Sequence, residues 1–324
     1  MHTTLNLARL RPLRRQSFLF ALLLLVVAVA VNSSQQPNFF QLRVLSGNLR
    51  TYLPLMILAA GQTIVVIAGG IDLSVGAIVS LSNVVAVRAL GTDPSPGQVV
   101  LALALALGAG LAVGAFNGFC VAYVRLQPIV TTFASSFVIA GLALQVMPSP
   151  GGVVPDGLSA PYRSNPLNIP LTLWVMAALI GLWGLVRLTR FRRYLYAVGG
   201  APQAAYATGV PVSLVRLSSY LVSGGMAALA GIAMTLSTTT GDPRIGDPMT
   251  LGSIVAVVLG GTRLSGGQGG VTGSLIGVLV LGLVRSIITF ANVPLWWQTL
   301  ADSLIILIAL AGPGLFNALR RRTA

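Results

Sequence analysis

Very few side chains in this sequence are able to do chemistry. All 20 basic residues are Arg and all 6 acidic residues are Asp, so Lys and Glu are absent; the one His is His2 and the one Cys is Cys120. A lone His and a lone Cys make neither a metal cluster nor a disulfide frame, and Cys120, in the apolar run before Arg125, reads as a packed small residue. General acid–base catalysis needs a well-placed titratable group or carboxylates paired at a working distance, and no such spacing occurs. A GxxxxGK[ST] phosphate loop needs its Lys to reach the nucleotide phosphates, so this chain cannot contain one. If ATP drives it, another protein binds the ATP. The chain is therefore expected not to be an enzyme and to carry no metal or cofactor.

Two carboxylates stand out by position. Asp72 sits in GGIDLSVG, within or beside an apolar run, where an unpaired charge costs roughly 2.5–3.5 kcal/mol at a helix centre. Three compensations are open: accepting backbone N–H bonds at a helix start, an ion pair with an Arg, or a place on a transport path. Asp302, in the last apolar run beside Trp296 and Trp297, reads as a buried structural polar contact.

The elements that must hold these residues are apolar. Of 324 residues 55% are hydrophobic and 8% charged, with a mean hydropathy of +0.87, far from the roughly 25% charged residues of soluble domains. Runs long enough to span a bilayer predict an all-α polytopic membrane protein, a single integral domain over residues 1–324 with about ten transmembrane helices, some broken or re-entrant. The expected spans are 18–31, 52–69, 74–90, 99–124, 130–147, 171–188, 214–236, 250–261, 271–290 and 296–310, of which 250–261 is short for a crossing. The first follows Arg9, Arg11, Arg14 and Arg15 like a signal peptide, but no small-residue cleavage site follows, so it is taken as uncleaved.

The net charge of +14 does not indicate nucleic-acid binding, because the arginines are scattered or stand at the ends of apolar runs. Alternating the spans from a cytoplasmic N terminus (1–16) puts Arg125, the cluster Arg187, Arg190, Arg192 and Arg193, Arg263 and the tail 313–324 on the cytoplasmic side, as the positive-inside rule asks. Arg43, Arg50 and Arg244 fall outside, together with the Pro/Gly-rich loop 148–170, which is either a binding or capping segment or a plain connector.

Glycine segments punctuate the spans. GGIDLSVG (69–76) is echoed by GGTRLSGG (260–267), and paired interruptions in two halves point to a transport site at a repeat interface. The echo aligns Asp72 with Arg263 and suggests opposite charges that lock a gate. The stretch YAVGGAPQAAYATGV (196–210), after the Arg cluster, reads as a short small-residue helix outside the bilayer that lets a partner approach closely.

Four segments, GQTIVVIAGGIDLSVGAIVSL, FNGFCVAYVRLQPIVTTFA, YAVGGAPQAAYATGV and IVAVVLGGTRLSGGQGG, together resemble the permease subunits of ribose-type bacterial ABC sugar importers, the family of ribose, xylose and galactofuranose permeases, nearest its galactofuranose-type members. The resemblance runs from Gly61 to Leu310. It implies a type-II importer permease in the bacterial inner membrane, paired with a second permease chain as homo- or heterodimer, with an ATP-binding ABC subunit inside and a periplasmic sugar-binding protein outside. It further implies that 194–211 is the segment docked on the ATPase, through Gly199, Gly200, Gln203, Ala204, Ala205 and Gly209. Candidates for the pathway or its gate are Gln62, Gly69, Gly70, Asp72, Ser74, Gly76, Asn117, Gly260, Gly261 and Arg263. Relatives typically carry acidic residues near Thr250 and Gly252, Glu at Gln203, and often Arg at Ala140. The cargo expected is a small neutral sugar; a proton-coupled transporter using Asp72 or Asp302, and an ABC permease for branched-chain amino acids, are the rival readings.

Overall fold

The computed structural model describes residues 11–291 together with Trp297, Leu300 and Leu304. Among them all regular structure is helical, apart from one isolated bridge between Gly151 and Gly241. In chain order the helices are α1 (Arg11–Gln35), α2 (Leu42–Ile67), α3 (Val75–Leu90), α4 (Pro96–Ala122), α5 (Pro128–Val146), α6 (Asp156–Arg163), α7 (Leu171–Val186), α8 (Arg190–Gly200), α9 (Pro202–Ala207), α10 (Val212–Thr238), α11 (Asp247–Leu259) and α12 (Val271–Phe290), with a 3₁₀ turn at Pro166–Asn168. The expected span 296–310, with Asp302, and the tail 313–324 lie outside the described residues.

Apolar composition sets the helices and small residues decide how they pack. α10 is the central post, packed on α2, α3 and α4. Along α4, Ala102, Ala106, Gly110, Gly114 and Gly118 recur every fourth residue and are all buried. A Cβ placed on Gly110 or Gly114 would stand 2.5 Å from the carbonyl oxygens of Gly224 or Tyr220 of α10, so the two backbones touch. The faces of α4 and α5 turned away from this seam expose Leu101, Phe116, Phe133 and Phe137. Such a surface suits hydrocarbon rather than water.

Five of the described helices, α2, α4, α5, α10 and α12, are long and apolar enough to cross a membrane, or six if α6 and α7, bent by 83°, count as one span. The expected count of about ten is not confirmed among the described residues, and two of the other expected spans, α3 and α11, are short. α3 has 16 residues and α11 has 13, about 24 and 20 Å at the helical rise, against roughly 30 Å of hydrocarbon. They start inside the bundle, where their N termini meet: Gly76 N donates to Thr250 Oγ1 (3.1 Å) and Gly246 N to Ser80 Oγ (2.9 Å). Hydroxyls thus satisfy N–H groups that a helix start leaves open.

Two connections differ from expectation. The segment 148–170 is not a plain loop: it holds α6 and is clamped to the α10–α11 connection by the paired backbones of Gly151 and Gly241 and by Val154 N donating to Thr239 O at 3.0 Å. The stretch 196–210 is two helices rather than one. Pro202 disfavours helical geometry in the residue before it, and Ala201 breaks the run at φ −156°, ψ 83°.

Candidate functional site

Four buried side chains, Asp72, Ser74, Asn117 and Ser223, and the backbone ahead of α3 build the first part of the site. Asp72 is 0% exposed, and its carboxylate is fully engaged. Oδ1 accepts from Ser74 N (3.0 Å) and Ser74 Oγ (2.6 Å), and Oδ2 accepts from Ser223 Oγ of α10 (3.0 Å). Asn117 Nδ2 of α4 donates to Ser74 Oγ at 2.8 Å. Just outside this ring, Thr132 Oγ1 of α5 accepts from Leu73 N and donates to Ile71 O, which also receives the Tyr220 hydroxyl. The broken backbone between α2 and α3 is therefore held by three neighbouring helices, α4, α5 and α10.

Of the three compensations open to Asp72, accepting local backbone N–H is the one found. The carboxylate closes a two-residue turn onto Ser74 N, and the N-terminal dipole of α3 adds to it. No ion pair forms: the one described salt bridge joins Arg163 to Asp156 at 2.8 Å. Arg263 is exposed in the α11–α12 connection and makes no bond to Asp72. Within one chain the described structure therefore forms no Asp72–Arg263 pair. The alignment behind that pair shifts as well, because the structural repeat runs one residue out of the sequence echo. Ala68, Gly69 and Gly70 donate their N–H groups to Ile64, Val66 and Val65, and Gly260, Gly261 and Thr262 donate in the same pattern to Ala256, Val258 and Val257. Gly69 (φ 82°) and Gly261 (φ 85°) are the equivalent left-handed positions, which glycine fills without strain. In that register Asp72 corresponds to Leu264, and Arg263 to Ile71.

Gln62 belongs to the same level of the bundle. Val65, Val121 and Tyr220 form a small apolar cluster, and Gln62, Asn117 and Ser223 each lie one helical turn from it in the same direction. Gln62 is 0% exposed; neither of its polar atoms, nor Asn117 Oδ1, has a partner among the described groups. The layer leaves hydrogen-bonding capacity unused.

The glycine segments meet in a second cluster. The backbone of Gly199, at the end of α8, is wedged against the Ile67 carbonyl, and Gly267 N donates to that same carbonyl at 2.9 Å. A Cβ on Gly266 would stand 2.7 Å from Gly199 O and 2.9 Å from Gly69 Cα, and one on Gly267 2.7 Å from Gly200 Cα. Tyr196 donates its hydroxyl to Gly269 O, and the Arg192 guanidinium lies 4.9 Å over the Tyr196 ring. The end of α2 and the α11–α12 connection are thus pinned together by α8. The residues proposed for ATPase docking divide here: Gly199 and Ala205 face inward, whereas Gly200, Gln203, Ala204 and Gly209 are exposed. Gly76 and Gly260 belong to neither cluster; Gly76 packs on Gly246, and Gly260 on Gly273 of α12.

A cavity of about 580 Å³ opens between the end of α2, the α4–α5 connection, α9 and the start of α10, lined by Gly70, Tyr220, Arg125, Gln203, Tyr206 and Arg216. No described carboxylate lines it. Ser223, Thr132 and Tyr220 are not among the candidates read from sequence; a polar residue within the apolar run 214–236 is the signal that marks Ser223.

Residues 44–310 match a protein family described as the branched-chain amino acid transport system / permease component. The ribose import permease protein RbsC of Escherichia coli K12 is 33% identical over 297 residues, 89% of this chain and 91% of that protein. The L-arabinose ABC transporter permease protein AraH of Azospirillum brasilense is 32% identical over 298 residues (91% and 86%), and the fructose import permease protein FruG of Bifidobacterium longum 30% over 304 residues (90% and 88%). No solved structure matches.

Proposed function

This chain belongs to the branched-chain amino acid transport system / permease component family, and from that premise we propose that it is the membrane-spanning subunit of an ATP-driven importer carrying a small neutral sugar, a pentose or hexose, furanose forms included, across the bacterial inner membrane. Sugar rather than amino acid rests on the relatives, whose names are those of ribose, arabinose and fructose permeases. Neutrality rests on the same relatives and on charge: the apolar spans offer no Lys or Glu, the buried carboxylate of Asp72 is already taken by three donors, and no described carboxylate lines that cavity or a second one between α2 and α12, so a cationic solute would find no counter-charge there.

The observation that carries the mechanism is the junction of α8 with both glycine breaks. An ATP-binding subunit docks on the exposed side of α8–α9, at Gly200, Gln203, Ala204 and Gly209, with the termini on the same cytoplasmic side. Its closure pushes α8. Because Gly199 is wedged against Ile67 O and Gly267, motion of α8 is passed to the end of α2 and the α11–α12 connection together. The Asp72 layer keeps the backbone between α2 and α3 a single rigid turn during that motion. A periplasmic sugar-binding protein delivers the solute, and a second permease chain completes the pathway.

The test is uptake into vesicles holding the chain with its co-purified ATP-binding and periplasmic partners. ATP-dependent accumulation of at least one of D-ribose, L-arabinose or D-fructose is expected. Preference for an anionic or cationic solute over every neutral sugar would overturn the reading.

A further inference from the structure

A second cavity, of about 400 Å³, lies toward the end of the bundle opposite the α8 junction, between α2, α12 and the start of α11. Its walls show a sequence pattern. Asn48, Thr51 and Tyr52 are spaced i, i+3, i+4 on one face of α2, and Arg285, Ser286 and Thr289 are spaced i, i+1, i+4 on the facing side of α12. Polar side chains inside an apolar span are costly against lipid and are retained where they face a polar cavity. The Tyr52 ring is fixed in place, since a Cβ on Gly282 would stand 2.6 Å from its Cδ1. Asn48 Nδ2 has no acceptor among the described groups.

The surroundings tie this cavity to the connections at that end. Tyr162 of α6 donates its hydroxyl to Arg50 O at 2.9 Å, between Asn48 and Tyr52 in sequence, and Ile245 of the α10–α11 connection forms part of the wall. Those two connections are bonded to each other through Gly151 and Gly241. Whatever presses on α6 therefore presses on the cavity wall.

We infer that this cavity is where the importer first accepts its solute from the delivering protein, and that it takes an uncharged polyhydroxylated molecule of monosaccharide size. Its volume falls within the range of small-molecule sites, at the small end. A fixed aromatic ring with amide, hydroxyl and guanidinium groups around it matches a ring that presents C–H faces and many hydroxyls. This rests on the proposed import of a neutral sugar and adds the residues that receive it.

The experiment uses the full complex in proteoliposomes with radiolabelled D-ribose, L-arabinose and D-fructose in turn, measuring uptake and ATP hydrolysis together. Asn48→Ala removes the amide, Thr289→Val replaces a hydroxyl by a methyl of similar size, and Tyr52→Phe keeps the ring. For Asn48→Ala and Thr289→Val, uptake per ATP hydrolysed is expected to fall about tenfold each, the scale of one lost hydrogen bond, while ATP hydrolysis stays normal. Tyr52→Phe is expected to change uptake less than either. Ser286→Cys, in a Cys120→Ala background, is expected to react with a thiol reagent and to lose uptake, with protection by the sugar. Normal uptake per ATP in both polar variants, or no thiol reaction in Ser286→Cys, overturns the cavity assignment while import stands. A wild-type complex that takes up none of the three sugars overturns the import reading and the cavity with it.

Discussion

A buried carboxylate has to be read through its donors. Asp72 receives three of them, and leaving buried donors unmade costs about 1–3 kcal/mol each, so Asp72→Leu is expected to lower the melting temperature of the purified protein far more than Asp72→Asn. A double-mutant cycle separates this from the charge pair that the sequence echo suggested. Asp72→Asn and Arg263→Gln are expected to add within about 0.5 kcal/mol, because the residues share no partner, whereas Asp72→Asn and Ser223→Ala should couple by about 1 kcal/mol. Strong coupling between Asp72 and Arg263 in thermal melts would restore the gate. Glycine positions call for the same discrimination. Gly199 and Gly200 are adjacent, yet a Cβ collides with Ile67 O at the first and meets nothing within 4 Å at the second. Gly199→Ala is expected to lose stability and transport, Gly200→Ala to keep both, and Gly200→Trp to fold normally while uncoupling ATP hydrolysis from uptake. Normal coupling in Gly200→Trp would move the ATPase contact elsewhere.

At the scale of elements, the fold depends on how closely α4 approaches α10. Gly114 has no room for a side chain between Tyr220 O and the backbone of Gly224, while Gly108, also on α4, has nothing within 4 Å. Gly114→Leu is expected to cost about 1–3 kcal/mol or more by prising the helices apart, and Gly108→Leu to leave the melting temperature unchanged. Equal melting temperatures in detergent would mean the seam is not tight. Most of the elements themselves were legible in the sequence, because a 20-residue apolar run has few alternatives to a helix. What was not legible was where α3 and α11 start. Their first turns are satisfied by Thr250 and Ser80, far away in sequence, and no local pattern records such partners.

For the whole molecule, the absence of Lys leads to a simple expectation. The chain purified alone should hydrolyse no ATP, and hydrolysis should arise only when a separate nucleotide-binding subunit is added. Activity in the pure chain, after contaminating ATPases are excluded, would remove the ground for an ATP-driven complex of several chains.

The sequence by itself settled the class of the protein: its apolar runs require helices in a membrane, its missing Lys, Glu and second His exclude most catalysis, and its glycine blocks indicate the permease family. Composition and short motifs suffice for that, because they act through local physics. The tertiary structure decided everything that depends on register and distance. It shifted the repeat by one residue and so separated Asp72 from Arg263, and it turned Gly199 inward and Gly200 outward. It also brought Asn48 and Thr289 to one cavity. These outcomes rest on contacts between residues distant in the chain, and such contacts exist only once the helices have packed.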